Sequence, residues 1–200
     1  MNRLQVNSAA TLETAVDATV DCLLGQGVVA APTETVYGLL TLWDNSAGRD
    51  RIFMLKERPS DKRLQMLAGS LKAALQSGVR PEPRLRLIAD RFWPGPLTVV
   101  CASVEGDSIG LRVPQHPFMT RLLARLPQPL AATSANLSGA APARKADAAV
   151  AGLRGTPDLL VDGGRVKGTA STVISILAPE IRLLRAGPIT LQEIQAALDD

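Results

Sequence analysis

Histidine, cysteine and aromatic residues are nearly missing from this chain. Of 200 residues one is His (His116), two are Cys (Cys22 and Cys101), and 3% are aromatic. One His and two Cys cannot complete a four-ligand structural zinc site, and they cannot form a dense disulfide framework. Mechanisms built on a His pair or a His-rich metal centre are excluded with them. Cys22 sits in an apolar helical run and Cys101 in an apolar strand, the usual setting of a small core residue, so neither zinc nor a redox thiol is expected. So few aromatics argue against a surface that stacks nucleotide bases along a strand. No run of 18 apolar residues occurs, so no membrane span is expected. The opening MNRLQVNSAATLETAVDAT has no apolar h-region, so no secretory signal peptide is expected and the cytoplasm is the expected location. A surplus of one charge is lacking as well. The chain carries 22 basic and 19 acidic residues, a net +3. This permits a nucleic-acid partner without requiring one, because an anionic small molecule needs only a local patch. The phosphate loop GxxxxGK[ST] and the dinucleotide fingerprint GxGxxG are absent. No nucleophile elbow is expected, and Ser134 has no His partner in sequence terms.

What is present is an alternation of strands and helices. Leu12, Val16, Val20, Leu23 and Leu24 recur at helical spacing and predict a helix over 11–25, stopped by Gly25 or Gly27. Val28 to Pro32 reads as a buried strand that ends in the polar segment TETVYG. A helix follows over 47–56 with Ile52, Phe53 and Leu55 inward, then the charged stretch KERPSDKR, broken by Pro59. LQMLAGS reads as a strand and LKAALQSG as a short helix. RLRLIADRF reads as a helix stopped by Pro94 and Gly95. LTVVCAS and IGLRVP are strands, 117–126 a helix, PLAATSAN a strand, and APARKADAAV the start of another helix. LLVDGG, STVISI and IRLLRAG precede a last helix that Thr190 can cap. The pattern predicts one α/β domain over 1–200 with a mixed sheet, and contains no repeat and no dividing linker.

The Pro and Gly residues gather beside polar residues at strand ends: PTETVYG, KERP, WPGPLT, RVPQHP, TSANLSG and DGGRVKGTASTV. Ligand loops concentrate at such ends in α/β sheets. Lys56 and Arg58, at the end of a helix, can face one cavity as a mobile point charge and a rigid fork for phosphate oxygens. The alternative is a solvated basic helix end. Lys62 and Arg63 read as surface charge beside them. Arg112 lies between Leu111 and Val113. On a strand those two face the core and Arg112 the other side, where burial demands an anion. That anion is a substrate group or, alternatively, Glu34 or Asp162. Ser134 and Asn136 share one face of an extended stretch, and Ser171 opens a second hydroxyl-led strand. His116 reads as a structural loop residue.

Taken in order, these segments resemble the YrdC/Sua5-type L-threonylcarbamoyladenylate synthase family, in its short bacterial TsaC-like form. PTETVYG from Pro32, KERP from Lys56, WPGPLT from Trp93, RVPQHP from Arg112, TSANLSG from Thr133 and STV from Ser171 follow the family order over residues 12–186. The resemblance implies an open, twisted mixed sheet with flanking helices around a concave basic cavity. It implies an enzyme that joins L-threonine, bicarbonate and ATP into threonylcarbamoyl-AMP and pyrophosphate, with Mg²⁺ accompanying ATP. The product would pass to the machinery that modifies adenosine 37 of certain transfer RNAs. It assigns Lys56 and Arg58 to phosphate and Thr33 to the threonine side, as the catalytic set. It assigns Tyr37, Arg112, Thr133, Ser134, Asn136 and Ser171 to substrate or ATP binding. No membrane partner, a monomer or weak dimer, and at most weak RNA binding are expected. Two departures touch the phosphate region. Arg63 stands where the family often has the Pro of a K-P-L triplet, and the short 38–55 stretch carries an unusual Leu42–Trp43 pair. The alternatives are a relative that uses another carbamate, or a double-stranded RNA or transfer RNA binding module. Further regions found in the longer Sua5 type and in hydrogenase-maturation carbamoyltransferases are not expected.

Overall fold

The computed structural model describes residues 1–199. In chain order its elements are β1 (Asn2–Gln5), α1 (Ala9–Leu24), β2 (Val29–Pro32), β3 (Tyr37–Leu42), α2 (Ser46–Lys56), β4 (Gln65–Leu67), α3 (Leu71–Gln76), α4 (Pro83–Phe92), β5 (Leu97–Ala102), β6 (Ser108–Arg112), α5 (Pro117–Arg125), β7 (Leu130–Ser134), α6 (Ala146–Ala151), β8 (Leu159–Asp162), β9 (Thr172–Ser175), β10 (Arg182–Arg185) and α7 (Leu191–Asp199). The strands form one sheet, ordered β1-β8-β2-β3-β7-β4-β6-β5-β9-β10. It is mixed: β8 runs parallel to β1 and β2, β6 to β4, and β9 to β5, whereas the remaining neighbours are antiparallel. No described helix is long and apolar enough to cross a membrane.

The period-2 alternation of side chains divides the core between two faces. Val29, Ala31, Leu40, Leu42, Leu130 and Ala132 join α1 and α5 on one face. Val28, Ala30, Leu39 and Ala131 join α2 and α6 on the other. Further along that second face Met66, Leu97, Val99, Leu111 and Ile174 pack with α3, α4 and α7. Beyond α5 the first face carries no helix among the described residues, and this uncovered half of the sheet becomes the site.

The structure revises several local expectations. The first helix begins at Ala9 because Ser8 caps it. Ser8 Oγ accepts from the Thr11 amide while Thr11 Oγ1 accepts from the Ser8 amide, a reciprocal box that uses Thr in place of the usual acid. Strands β1 and β3 were not anticipated. Every residue of β3 is buried, so no alternation marks it, and β1 is a short edge strand. Phe53 is only partly buried, whereas Ile52 and Leu55 are in the core. At the far end Thr190 and Glu193 form a second reciprocal cap. The letters GDSIG from Gly106 fit the nucleophile pattern G-x-S-x-G. Ser108 nevertheless opens β6 in an antiparallel pair with β5, and no strand-to-helix turn exists there.

Candidate active site

Five neighbouring strands build the uncovered face. Gln65 of β4, Thr98 and Val100 of β5, Ser108, Gly110 and Arg112 of β6, Ala132 and Ser134 of β7, and Val173 of β9 line a cavity of about 440 Å³. Their i, i+2 spacing is the reason they meet, since the residues between them, Thr133 at the end of β7 excepted, face the helices. Loops complete the rim with Thr35, Arg58, Asp61, Arg63 and Ser171, and β10 adds Arg185. Four guanidinium groups against one carboxylate make the cavity basic, and the hydroxyls between them are neutral donors.

Arg112 is the most enclosed of the four, 3% exposed. Its Nε donates to the Gly95 carbonyl at 3.3 Å and its Nη1 to Thr35 Oγ1 at 2.9 Å. Its Nη2 lies 2.5 Å from Glu34 Oε1, a close ion pair whose angles fall outside hydrogen-bond geometry. Burial pushes the guanidinium pKa down and the Glu34 carboxylate opposes this. The expected cavity-facing Arg is thus found, and Glu34 supplies the anion it meets here. Asp162, the other candidate partner, pairs with Arg3 at 2.6 Å. The polar residues of PTET form a cradle for Arg112. Thr33 Oγ1 lies 2.8 Å from Thr35 Oγ1 and donates to the Val36 carbonyl, fixing the hydroxyl that receives Arg112.

Lys56 and Arg58 do not face one cavity. Glu57 between them takes a left-handed conformation, φ 46°, which ends α2 and reverses the chain. Lys56 therefore turns inward, 1% exposed, and its Nζ donates to the carbonyls of Ser134 and Asn136, the latter at 2.5 Å. Burial, and then the charge of Arg58, push its pKa down to about 8. Arg58 lines the cavity and folds the next loop onto itself. Its Nε donates to the Lys62 carbonyl at 2.8 Å and its Nη2 to the Arg63 carbonyl at 2.9 Å. Burial lowers its pKa, opposed by Asp61.

Of the other expected residues, Thr133, Ser134 and Ser171 line the cavity. Thr33, Tyr37 and Asn136 stand behind it. Tyr37 is buried, and its hydroxyl donates to the Gly164 carbonyl at 2.8 Å and accepts from the Gly163 amide. Asn136 Nδ2 closes its own turn on the carbonyls of Leu137 and Ala140. His116 sits at the N-cap of α5, and its Nδ1 is buried without a hydrogen-bond partner. Burial lowers its pKa, while Glu34 acts to raise it.

The sequence reading missed Arg185, Thr98 and Gln65. Arg185 Nη2 donates to Ser171 Oγ at 3.0 Å, Ser171 Oγ lies 2.9 Å from Thr98 Oγ1, and Thr98 Oγ1 donates to Gln65 Oε1 at 3.3 Å. This chain of polar groups crosses the cavity from β10 to β4, a span of five neighbouring strands. Thr98 could have been found as the last residue of WPGPLT, but nothing in IRLLRAG separates Arg185 from Arg182.

An open α/β sheet with one half-face lined by guanidinium and hydroxyl groups defines an anion-binding domain. Comparison with known proteins narrows the class. Residues 21–187 match the family model Sua5/YciO/YrdC, described as telomere recombination, and the chain belongs to that family. It is 34% identical over 184 residues to the threonylcarbamoyl-AMP synthase of Pyrococcus abyssi, covering 86% of this chain and 54% of that protein. It is 35% identical over 183 residues to the Bacillus subtilis threonylcarbamoyl-AMP synthase, with 86% and 53% covered. The chain therefore spans about half the length of these relatives. The crystal structure of Pyrococcus abyssi Sua5 complexed with L-threonine superposes with a TM-score of 0.88 at 30% identity, over 98% of this chain and 60% of that one.

Proposed function

We propose that this protein is an L-threonylcarbamoyl-AMP synthase, forming that adenylate and pyrophosphate from L-threonine, bicarbonate and ATP. The observation that carries the reading is the convergence of Arg58, Arg112 and Arg185 with Thr35, Thr98, Ser134 and Ser171 on one basic cavity, in a chain related to threonylcarbamoyl-AMP synthases.

The chemistry requires no side-chain nucleophile. The threonine ammonium and bicarbonate give a carbamate, one water and one proton. A carbamate oxygen then attacks the α-phosphorus, and the bond to the β-phosphate oxygen breaks to release pyrophosphate. Alignment and stabilisation of phosphoryl charge carry such a step. Arg58 and Arg185 serve the phosphates, while Arg112 with Thr35 serves a substrate carboxylate. Thr133, Ser134 and Ser171 donate to the nucleotide. Lys56 acts through the Ser134 and Asn136 carbonyls, as Thr33 acts through Thr35, so both position the site from behind. Tyr37 and Asn136 fix its walls. The recess shields a carbamate that water would decompose.

Among the described residues no cluster of three or more His, Cys, Asp or Glu could hold a metal ion, and Asp61 is the one carboxylate on the cavity lining. This donor set fits Mg²⁺ that arrives on ATP phosphates, with Asp61 placed to hold it; bound there, the ion would neutralise phosphate charge. The reading carries with it one YrdC-like domain over residues 1–200, a cytoplasmic location, a monomer or weak dimer, and delivery of the product to the transfer RNA threonylcarbamoylation machinery.

Liquid chromatography of reactions lacking one component at a time tests the reading. Adenylate and pyrophosphate are expected only when threonine, bicarbonate and ATP are all present. Adenylate formed only with another amine would assign a different carbamate. Tight, salt-sensitive RNA binding without ATP binding would assign an RNA-binding module.

A further inference from the structure

Arg63 differs from the other three cavity guanidiniums in what holds it. Arg112 has a buried carboxylate, Arg58 holds the loop backbone, and Arg185 holds Ser171. Arg63 reaches across the rim to the loop before β6, where Nη2 meets Asp107 Oδ1 at 2.8 Å and Nη1 meets the Ser108 carbonyl at 3.3 Å. Both partners of this pair are more than half exposed, 56% and 61%. An exposed ion pair contributes little to stability and yields to a competing anion, whereas a buried one does not. Arg63 is therefore the cavity cation most readily recruited. Its backbone is tied independently of the side chain, because Arg58 Nη2 donates to the Arg63 carbonyl. Arg58 and Arg63 thus form two adjacent forks at the mouth, with Asp61 as the only acid beside them on the lining.

We propose that Arg63 is a phosphate ligand that Asp107 competes for, and that it transfers from Asp107 to the terminal phosphates of a nucleoside triphosphate. This rests on the nucleotide reading above and adds a contact at the position where the chain departs from the K-P-L pattern. Two parallel N–H groups of a guanidinium match two phosphoryl oxygens, which a carboxylate of partial exposure cannot outbid once several phosphate charges are near. Arg63 and Asp107 also line a neighbouring cavity of about 600 Å³, so the transfer removes part of the wall between the two spaces.

Calorimetric titration with MgATP, AMP and inorganic tripolyphosphate tests this on the wild type, Arg63→Ala, Arg63→Lys, Asp107→Asn and the double variant Arg63→Ala/Asp107→Asn. Arg63→Ala is expected to weaken MgATP and tripolyphosphate about tenfold, ~1.4 kcal/mol, and AMP less than about twofold. Arg63→Lys should keep part of the affinity. Asp107→Asn should tighten MgATP and tripolyphosphate severalfold, and that gain should vanish when Arg63 is Ala. Equal losses for AMP and MgATP, no loss at all, or a weakening by Asp107→Asn would overturn the proposal. The two readings fail separately. Tripolyphosphate binding that depends on Arg63 in a protein that ignores ATP removes the nucleotide reading, and with it the triphosphate of a nucleotide as the ligand, while keeping Arg63 as a polyphosphate ligand in competition with Asp107. ATP binding indifferent to Arg63 removes this proposal alone, and binding of neither ligand removes both.

Discussion

Arg112 and Glu34 meet at 2.5 Å, with side chains only 4% and 19% exposed. They come from β6 and from the turn after β2, segments far apart in sequence. The pair gives Arg112 a structural duty alongside the ligand duty its place on the cavity wall suggests.

Removing one partner leaves the other charged and buried. Glu34→Ala is therefore expected to cost ~3–5 kcal/mol of stability, and Arg112→Ala a similar amount. Replacing both by apolar residues of similar volume, as in Arg112→Met with Glu34→Leu, should recover most of it. Urea denaturation midpoints read this. An Arg112→Ala protein with wild-type stability and weakened ligand binding would show that the pair has no structural weight.

Lys56 sets a pH dependence of defined sign. Its pKa falls from 10.5 to about 8 in the folded protein. Between those values the unfolded chain binds the extra proton, so this group makes stability rise with pH from about 8 to 10.5. Tyr37 acts in the opposite direction. Its hydroxyl is raised from 10.0 to about 12, chiefly by burial, so its contribution is lost above pH 10. Cys101, raised from 9.0 to about 12 by burial, also opposes Lys56 above pH 9. Cys22, also raised by burial, acts in the same direction as Cys101, so denaturation from pH 7.5 to 9, on the order of one pH unit around the Lys56 value, is compared between wild type and a Lys56 variant, which share both thiols. Lys56→Met should flatten the upward slope there, and an unchanged slope would remove Lys56 as its source.

Arg58 and Arg185 are expected to carry nucleotide affinity. Loss of one charge-assisted contact is worth ~1.5–3 kcal/mol, so Arg58→Ala and Arg185→Ala should each weaken ATP about 10- to 150-fold. Arg58→Ala has a second readout. It frees the carbonyls of Lys62 and Arg63, so limited proteolysis should cut the 59–63 loop faster, while Arg185→Ala leaves that loop unaffected. Wild-type ATP affinity in both variants would displace the phosphate site from this cavity.

Gly168 supports the cradle by close approach. A Cβ there would lie 3.0 Å from the Glu34 carbonyl carbon and from Thr35 Cα, and closer still to the Glu34 carbonyl oxygen. Backbone cannot yield as a flexible side chain can. Gly168→Ala should therefore displace the PTET turn and weaken the ligand bound at Arg112, with a stability loss of ~1–3 kcal/mol. Unchanged threonine and ATP affinities would show that the turn tolerates the shift.

The alternation of apolar segments determined the α/β class, and ordered local patterns determined which segments form the site. Arg112 was legible because neighbouring side chains on a strand must diverge, so apolar neighbours on both sides force an Arg onto the opposite face. The long-range choices were not legible. Whether Arg112 meets Glu34 or Asp162 depends on where β1 lies, because Arg3 on that strand takes Asp162. Whether Lys56 follows Arg58 into the cavity depends on the left-handed turn at Glu57, a residue type that rarely adopts it. Arg185 belongs to the site because β10 joins the sheet beside β9, which brings it to Ser171. Sequence by itself specifies periodicity, caps and the residue types available for chemistry, since these arise from bonds and contacts local to the chain. Only the tertiary structure assigned each buried charge its partner, because those partners are brought together by sheet order rather than by spacing along the chain.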